Sequence, residues 1–242
     1  MSKDKPVLSI IIPALNEAEN LAKLLPYLRR ELPGAEVIVA DAQSQDESEA
    51  VAEKAGATFI RCRKMCRAVQ MNTGAKEAKA DLLYFLHADA FPPQGFYQKI
   101  KAALKEGYSL GCFRFQFDSS SKILALNAYF TRFDRLMCRG GDQSLFIKKK
   151  VFEDLQGFRS DYRIMEDYEF IIRARKKYPF KIIQDDVLVS ARKYKENSYL
   201  RVNFANFIVF TLFRWGAKQT TMLKAYRLLL KHPKAESLEA QS

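Results

Sequence analysis

Acidic side chains stand at the ends of apolar, strand-like runs at three places between residues 7 and 89. His87 and Asp89 follow Leu82–Leu86, Asp41 follows Glu36–Ala40 with Ser44, Gln45 and Asp46 just beyond, and Asn16 and Glu17 follow Val7–Ile12 and Pro13. Open α/β sheets bind ligands outside the carboxyl ends of their strands, so these are positions where chemistry is done. Asp89 is the first candidate for a metal ligand; equally, an Asp ahead of Phe91-Pro92-Pro93 opens a turn. Glu166-Asp167 begins a later helical pattern. The pair reads either as first-turn acids answering the helix dipole or as carboxylates at the rim of a pocket. Arg67, Gln70 and Gly74 recur at three- and four-residue spacing, on one helix face from which they can reach a ligand together. Gly140-Gly141-Asp142-Gln143 reads first as a turn, and second as a place where backbone approaches a ligand closely.

These groups must be positioned by alternating elements. Val7–Ile12 is β-branched and closed by Pro13, and Asn16 is placed to cap a helix with Leu21, Leu24, Leu25 and Leu28 at helical spacing, stopped by Pro33-Gly34. Strands at 36–40 and 58–62, helices from Asp46 to Ala55 and from Met65 to Lys79, and the buried run 82–86 follow. Such alternation implies a parallel, doubly wound sheet with right-handed crossovers. Beyond Pro93 the pattern predicts a helix at 96–106, a strand at 108–117, a helix from Lys122 to Met137, a strand at 144–147, a short helix at 151–155 and a helix at 168–178. Two late strands, 180–183 and 187–189, lead to a basic loop at 190–194. Neither GxGxxG nor GxxxxGK[ST] follows the first strand, so a bound nucleotide needs a metal and side chains for its phosphates.

The 242-residue chain is 48% apolar with 18 Gly and Pro together, a globular composition with room for a substantial core. Its net charge of +12 favours an anionic partner. Cys62, Cys66, Cys112 and Cys138 lack zinc-site spacing and are expected as packing thiols in a cytoplasmic protein. The N-terminal apolar run is cut short by Pro13, Asn16 and Glu17, which argues against a secretory signal.

Taken in order, Ser9-Ile10-Ile11-Ile12-Pro13-Ala14-Leu15-Asn16-Glu17, then Asp41 with Ser44 and Asp46, His87-Ala88-Asp89, Gly141-Asp142-Gln143 and Glu166-Asp167 resemble the motifs of family 2 glycosyltransferases of the GT-A fold, over roughly residues 7 to 194. Arg67-x-x-Gln70-Met71-Asn72-x-Gly74-Ala75, His87-Ala88-Asp89 and Ser190-Ala191-Arg192 look like the subgroup named for arsenosugar biosynthesis or for association with radical-SAM and selenium domains. The resemblance implies a GT-A-like, doubly wound, mixed but mostly parallel sheet flanked by helices, with a C-terminal helical appendage. It implies a catalytic domain at 1–195; beyond it the sequence itself reads as a helical appendage at 196–232 and a disordered tail at 233–242. It also implies a hexosyltransferase-type enzyme that moves a sugar from a nucleotide diphosphate, a UDP-sugar by first guess, to an acceptor hydroxyl with inversion. Pro13, Glu17 and Asp41 then line the base and ribose site; Arg67, Asn72, Gly74, His87, Ala88, Asp142, Gln143 and Arg192 join the nucleotide-sugar site. Asp89 holds a divalent cation, Mn²⁺ or Mg²⁺, and Asp167 is the general base beside Glu166. Where the family has a first Asp of its DxD motif this chain has His87, a ligand that suits Mn²⁺ better than Mg²⁺. For these roles to combine, Asp41, Asp89 and Asp167 should border one cavity.

Residues 202–213 are uncharged, lie between Arg201 and Arg214, and carry Phe204, Phe207, Phe210 and Phe213 at every third position. Twelve residues do not span a bilayer, which takes about 20. The segment either packs against the sheet or a second subunit in a homodimer, or lies at an anionic membrane surface on the cytoplasmic face and presents a lipid-linked or amphiphilic acceptor. Rival readings are a sugar-phosphate nucleotidyltransferase-like enzyme, which lacks its glycine-rich phosphate loop here, a lapsed enzyme serving as a scaffold, and a non-catalytic membrane- or nucleic-acid-binding protein. Scattered basic residues speak against nucleic acid.

Overall fold

The structure, a computed structural model, describes residues 5–136 and 144–231. Its elements follow as β1 (Leu8–Ala14), α1 (Ala18–Glu31), β2 (Ala35–Asp41), α2 (Ser48–Lys54), β3 (Thr58–Arg61), α3 (Arg67–Glu77), β4 (Leu82–Phe85), β5 (Ala90–Phe91) and α4 (Phe96–Lys105). Then come β6 (Leu110–Phe117), α5 (Lys122–Tyr129), β7 (Leu145–Lys148), α6 (Lys149–Asp154), α7 (Glu166–Arg175), β8 (Phe180–Val189), α8 (Arg192–Glu196), α9 (Tyr199–Arg214) and α10 (Gln219–Leu229).

All eight strands join one sheet in the order β3-β2-β1-β4-β7-β6-β8-β5. β1 to β4 are mutually parallel, β7 runs antiparallel to both β4 and β6, and β8 is parallel to β6. The mixed, mostly parallel sheet matches the expected class. Its central strands are covered on both faces, which is why Leu82–Leu86 reads as an unbroken apolar run. One face packs under Leu21, Leu24 and Leu28 of α1 and Phe96 and Ile100 of α4. The other packs under Ala68, Met71 and Ala75 of α3, Phe152 of α6, and Phe170 and Ala174 of α7.

Pro13 lies inside β1 rather than closing it. Pairing of β1 with β4 spans only Ser9–Ile11, so the ring nitrogen of Pro13 faces no ladder partner there, while register with β2 continues to Ala14 opposite Asp41. The two late strands are one. β8 runs through Phe180–Val189, and the pairing jumps from Phe113–Ile183 to Arg114–Asp186, leaving Gln184 and Asp185 as a bulge. Asp185 there pairs with Lys99 at 2.8 Å and Asp186 with Arg114, so charged residues that look like a loop in sequence sit within a strand.

The helix expected over 122–137 ends at Tyr129 and continues as a single 3₁₀ turn, Phe130–Arg132. The basic loop at 190–194 becomes α8 from Arg192 onward. Cys62, Cys66 and Cys112 are buried thiols, as a packing role requires. Met137, Cys138, the Gly140–Gln143 segment and the 233–242 tail lie outside the described residues, as do the assignments placed on Asp142 and Gln143. No helix among the described residues is long and apolar enough to cross a membrane.

Candidate active site

The β1–α1 and β2–α2 loops are stitched to each other at the carboxyl edge of the sheet. Asn16 does not cap α1. Its backbone takes φ +52°, its N–H donates to Ser44 Oγ at 2.8 Å, and its Oδ1 accepts from the Gln45 N–H at 2.8 Å. The neighbouring loop supplies the cap instead. Asp46 Oδ2 accepts from Ala18 N–H at 2.9 Å and Ser48 Oγ accepts from Glu17 N–H at 3.0 Å. Burial pushes the Asp46 carboxyl up, but hydrogen bonds from the Ser48 hydroxyl and from the Ala18 and Ser48 N–H groups outweigh it, so its pKa lies below the ordinary carboxylate value. Asp41 is wholly buried and its two oxygens accept from the N–H and the hydroxyl of Ser44. In this conformation it organises the loop rather than presenting a carboxylate to a ligand.

A cavity open in part to solvent lies across the same edge. Five elements meet around it: Pro13 of β1, Arg67 of α3, His87 beyond β4, Ser144-Leu145 at β7, and Glu166 and Asp167 at the start of α7. Five residues singled out in the sequence, Pro13, Arg67, His87, Glu166 and Asp167, therefore share one wall-to-wall space. Asp167 and His87 line it, whereas Asp41 and Asp89 do not, so the expectation that Asp41, Asp89 and Asp167 border one cavity is not met in this structure. Asp41 sits one strand over, in register with Ala14, and Asp89 lies two residues past His87 on a turn closed by Ala90 N–H donating to His87 O at 3.2 Å.

Glu166 is 4% exposed, and Arg67 Nη1 stands 3.6 Å from its Oε1, so the buried carboxylate has a cation opposite. Asp167 is half-buried; its Oδ1 accepts from Tyr168 N–H at 2.8 Å, which orients the carboxylate at the helix start. Arg192 forms a second charge cluster. Its Nη2 lies 3.5 Å from Glu17 Oε1 and 3.6 Å from Asp89 Oδ2, bridging the loops after β1 and β4. The chain leading from β8 into Arg192 is fixed by neighbouring strand ends: Asp118 Oδ1 accepts from Ala191 N–H at 2.6 Å and Ser190 N–H donates to Asp89 O at 3.2 Å.

Backbone strain gathers around this edge. Asn16, Gln43, Ser144 and Met165 are non-glycine residues with φ between +52° and +67°, each in a loop bordering the carboxyl ends of β1, β2 and β4 or the start of α7. Such conformations persist where surrounding contacts over-determine them. Tyr84 shows how: its buried hydroxyl donates to Ser144 Oγ at 3.0 Å, tying the central strand to the first described residue before β7.

Three residues assigned to the ligand face are instead part of the scaffold. Gln70 is buried, and its Nε2 donates to Ala14 O at 2.8 Å and Ala40 O at 2.7 Å. Gly74 gives α3 close approach to β1; a Cβ there would lie 2.5 Å from Ile11 Cγ2. Asn72 pairs with the Phe158 backbone, donating to its carbonyl at 2.7 Å and accepting from its N–H at 2.9 Å. Through Phe158, which lines the cavity, meets Phe85 edge to face and packs at a tilt against Phe170, Asn72 supports the wall from behind. Ala88 is buried in the core below the turn. Phe158 and Ile171 line the cavity too and drew no functional notice in the sequence, because apolar residues there look like any other core positions.

Among the described residues no three histidine, cysteine or acidic side chains converge as a metal cage. A cation bound through phosphate oxygens takes only one or two protein ligands, and Asp89 with His87 on one tight turn is a donor set of that size.

A family model described as glycosyl transferase family 2 matches residues 9–159. Among solved structures the chain is similar to residues 1–349 of S. aureus TarS in complex with UDP, at 13% identity and TM-score 0.63 over 97% of this chain and 75% of that one. It is similar to the mannosyltransferase PcManGT from Pyrobaculum calidifontis in complex with GDP-Man and Mn²⁺, at 18% identity and TM-score 0.64 over 93% and 70%. It is also similar to glucosyl-3-phosphoglycerate synthase from Mycobacterium tuberculosis in complex with Mn²⁺, UDP-glucose and phosphoglyceric acid, at 15% identity and TM-score 0.63 over 89% and 82%. Curated protein sequences give no match. With more than half its length matched by the family model and its mixed sheet arranged as in these structures, the chain belongs to glycosyl transferase family 2 and has the GT-A fold.

Proposed function

We propose that the chain is an inverting glycosyltransferase that takes a sugar from a nucleoside diphosphate, with Asp167 as general base and a divalent cation assisting departure of the diphosphate. Support comes chiefly from one arrangement: Asp167 and the Arg67–Glu166 pair line the same cavity as Pro13 and His87, across the carboxyl edge of the sheet. The neighbours' complexes with UDP, UDP-GlcNAc, UDP-glucose or GDP-mannose favour a nucleotide-sugar donor, and a UDP-sugar is the first to try. The motifs at 67–75, 87–89 and 190–192 support the narrower subgroup through sequence alone.

The acceptor hydroxyl loses its proton to Asp167 as its oxygen attacks the anomeric carbon from the side opposite the leaving diphosphate, which inverts that centre in one displacement. The Tyr168 N–H bond holds the Asp167 carboxylate in one orientation for that transfer. Glu166, buried beside it, keeps Arg67 directed to the cavity, where a guanidinium can bind phosphate. Arg192, between Glu17 and Asp89, is a second cation for the same charge. Asp89 and His87 are the residues to hold Mn²⁺ or Mg²⁺, which when bound neutralises negative charge developing on the diphosphate. Phe85, Leu86 and Phe158 make the apolar wall that limits water near the reacting carbon.

Thermal-shift measurements of the full chain against UDP-glucose, UDP-GlcNAc and GDP-mannose, with and without Mn²⁺, test the donor class. A donor held at about 100 times its Kd adds about 2.7 kcal/mol of stability, which is readily seen as a raised Tm. Absence of any shift with every nucleotide sugar, with metal present, defeats the proposal.

A further inference from the structure

α9 is apolar on both sides. Its inner face is filled by Val202, Ala205 and Val209, and Phe210 and Phe213 meet the rings of Tyr168 and Tyr162. The opposite face carries Leu200, Phe204 and Phe207, which are 78%, 56% and 60% exposed, and Trp215 at the helix end is 80% exposed. The stripe does not stand alone. Asn127 of α5 donates to Asn203 Oδ1 of α9 at 3.1 Å, so the two helices touch at this point. α5 and its 3₁₀ turn carry further exposed apolar residues, Ile123, Leu126, Tyr129 and Phe130. A helix with apolar residues on two opposite faces is normally covered on both, and among the described residues only one of those faces is covered by protein.

Charge indicates what covers the other. From Asn197 to Lys231 there is no Asp or Glu, while Arg201, Arg214, Lys218, Lys224, Arg227 and Lys231 are all basic. α5 adds Lys122 and no acid. The acids that flank α5 and its 3₁₀ turn are engaged elsewhere: Asp118 accepts from Ala191 N–H and Asp134 pairs with Arg175 at 2.6 Å. A second copy of the chain docked through this segment by a two-fold axis would bring two acid-free, basic segments together. An anionic bilayer surface answers both properties, taking the aromatic stripe into its headgroup boundary and the cations against its phosphates.

We infer that the outer face of α9, with the adjoining face of α5, docks on an anionic phospholipid surface, with Phe204, Phe207 and Trp215 entering the interface. This docking does not depend on the role assigned to Asp167. Trp215 is the single tryptophan of the chain, so its fluorescence reports the contact directly.

The test is flotation of the full chain with vesicles of phosphatidylcholine containing phosphatidylglycerol, against vesicles of phosphatidylcholine alone, with Trp215 emission followed in parallel. Binding to the anionic vesicles only, weakened by salt and accompanied by a blue shift, is expected. The double variant Phe204→Ser with Phe207→Ser should lower partitioning about tenfold or more, since it removes two inserting rings. Arg214→Gln should lower it about fivefold. Both changes lie on exposed positions, and a thermal melt checks that the variants fold. No binding by the parent chain, unchanged Trp215 emission, or full binding by a folded double variant overturns the inference. So does a solution dimer that the double variant dissolves, which would assign the face to a second copy.

Discussion

Gln70→Met separates a scaffold role from a ligand-binding one. Methionine keeps the volume and flexibility of the side chain but has no N–H, so the bonds to Ala14 O and Ala40 O are both lost. The Ala14 carbonyl still accepts from Ala42 N–H at 2.9 Å, so its loss is near the net value of one hydrogen bond, about 1 kcal/mol. The Ala40 carbonyl is buried below α3, and losing its Gln70 bond costs about 1–2 kcal/mol. The sum, about 2–3 kcal/mol, corresponds to a Tm lowered by about 5–10 °C for a chain of this size. Urea unfolding and a thermal melt measure it, and donor-induced thermal shifts on the same variant supply the second readout. Stability should fall while donor affinity, measured well below the new Tm, stays within about twofold. Stability unchanged within about 0.5 kcal/mol, together with a large loss of donor affinity, would refute the scaffold role and return Gln70 to the ligand face.

Asp167→Asn should lower kcat by about 10²–10⁴ while leaving the donor-induced thermal shift in place, because an amide cannot accept the proton; equal turnover removes Asp167 as the base. Transfer should require added Mn²⁺ or Mg²⁺, and Asp89→Ala should lose that dependence together with donor binding; full activity in chelator contradicts this assignment. Asp46 has a folded pKa below its ordinary value of 3.8, so its contribution is present above that value and is lost as pH falls through the folded one. Asp46→Asn should therefore be less stable than the parent in urea near neutral pH, with the gap closing as the pH drops below about 4. In Gly111→Ala the new Cβ would lie 2.3 Å from the Lys181 carbonyl oxygen, a backbone atom of the paired strand, so β6 and β8 must part; a loss of about 3 kcal/mol or more in urea unfolding is expected.

Periodicity alone determined the layered sheet. Apolar runs that alternate with helices bury themselves only between helical layers, so the first four strands, their parallel pairing and the carboxyl-edge location of the polar residues follow from sequence. The order of the first three motifs was legible for the same reason, since each ends a strand. What remained hidden depends on distances between segments far apart in the chain. Arg67, Gln70 and Gly74 share a helix face in sequence, yet only Arg67 reaches the cavity, because α3 crosses β1 closely enough that Gly74 meets Ile11 and Gln70 meets two strand ends. Asn72 reads as a ligand-site residue until its partner, the Phe158 backbone across 86 positions, is in view. Asp41, expected in the base site, turns inward because Ser44 satisfies both its oxygens. Residue type and spacing decide which groups can act; tertiary packing decides which side of an element is left open, and that is a matter of long-range contacts a one-dimensional pattern does not contain.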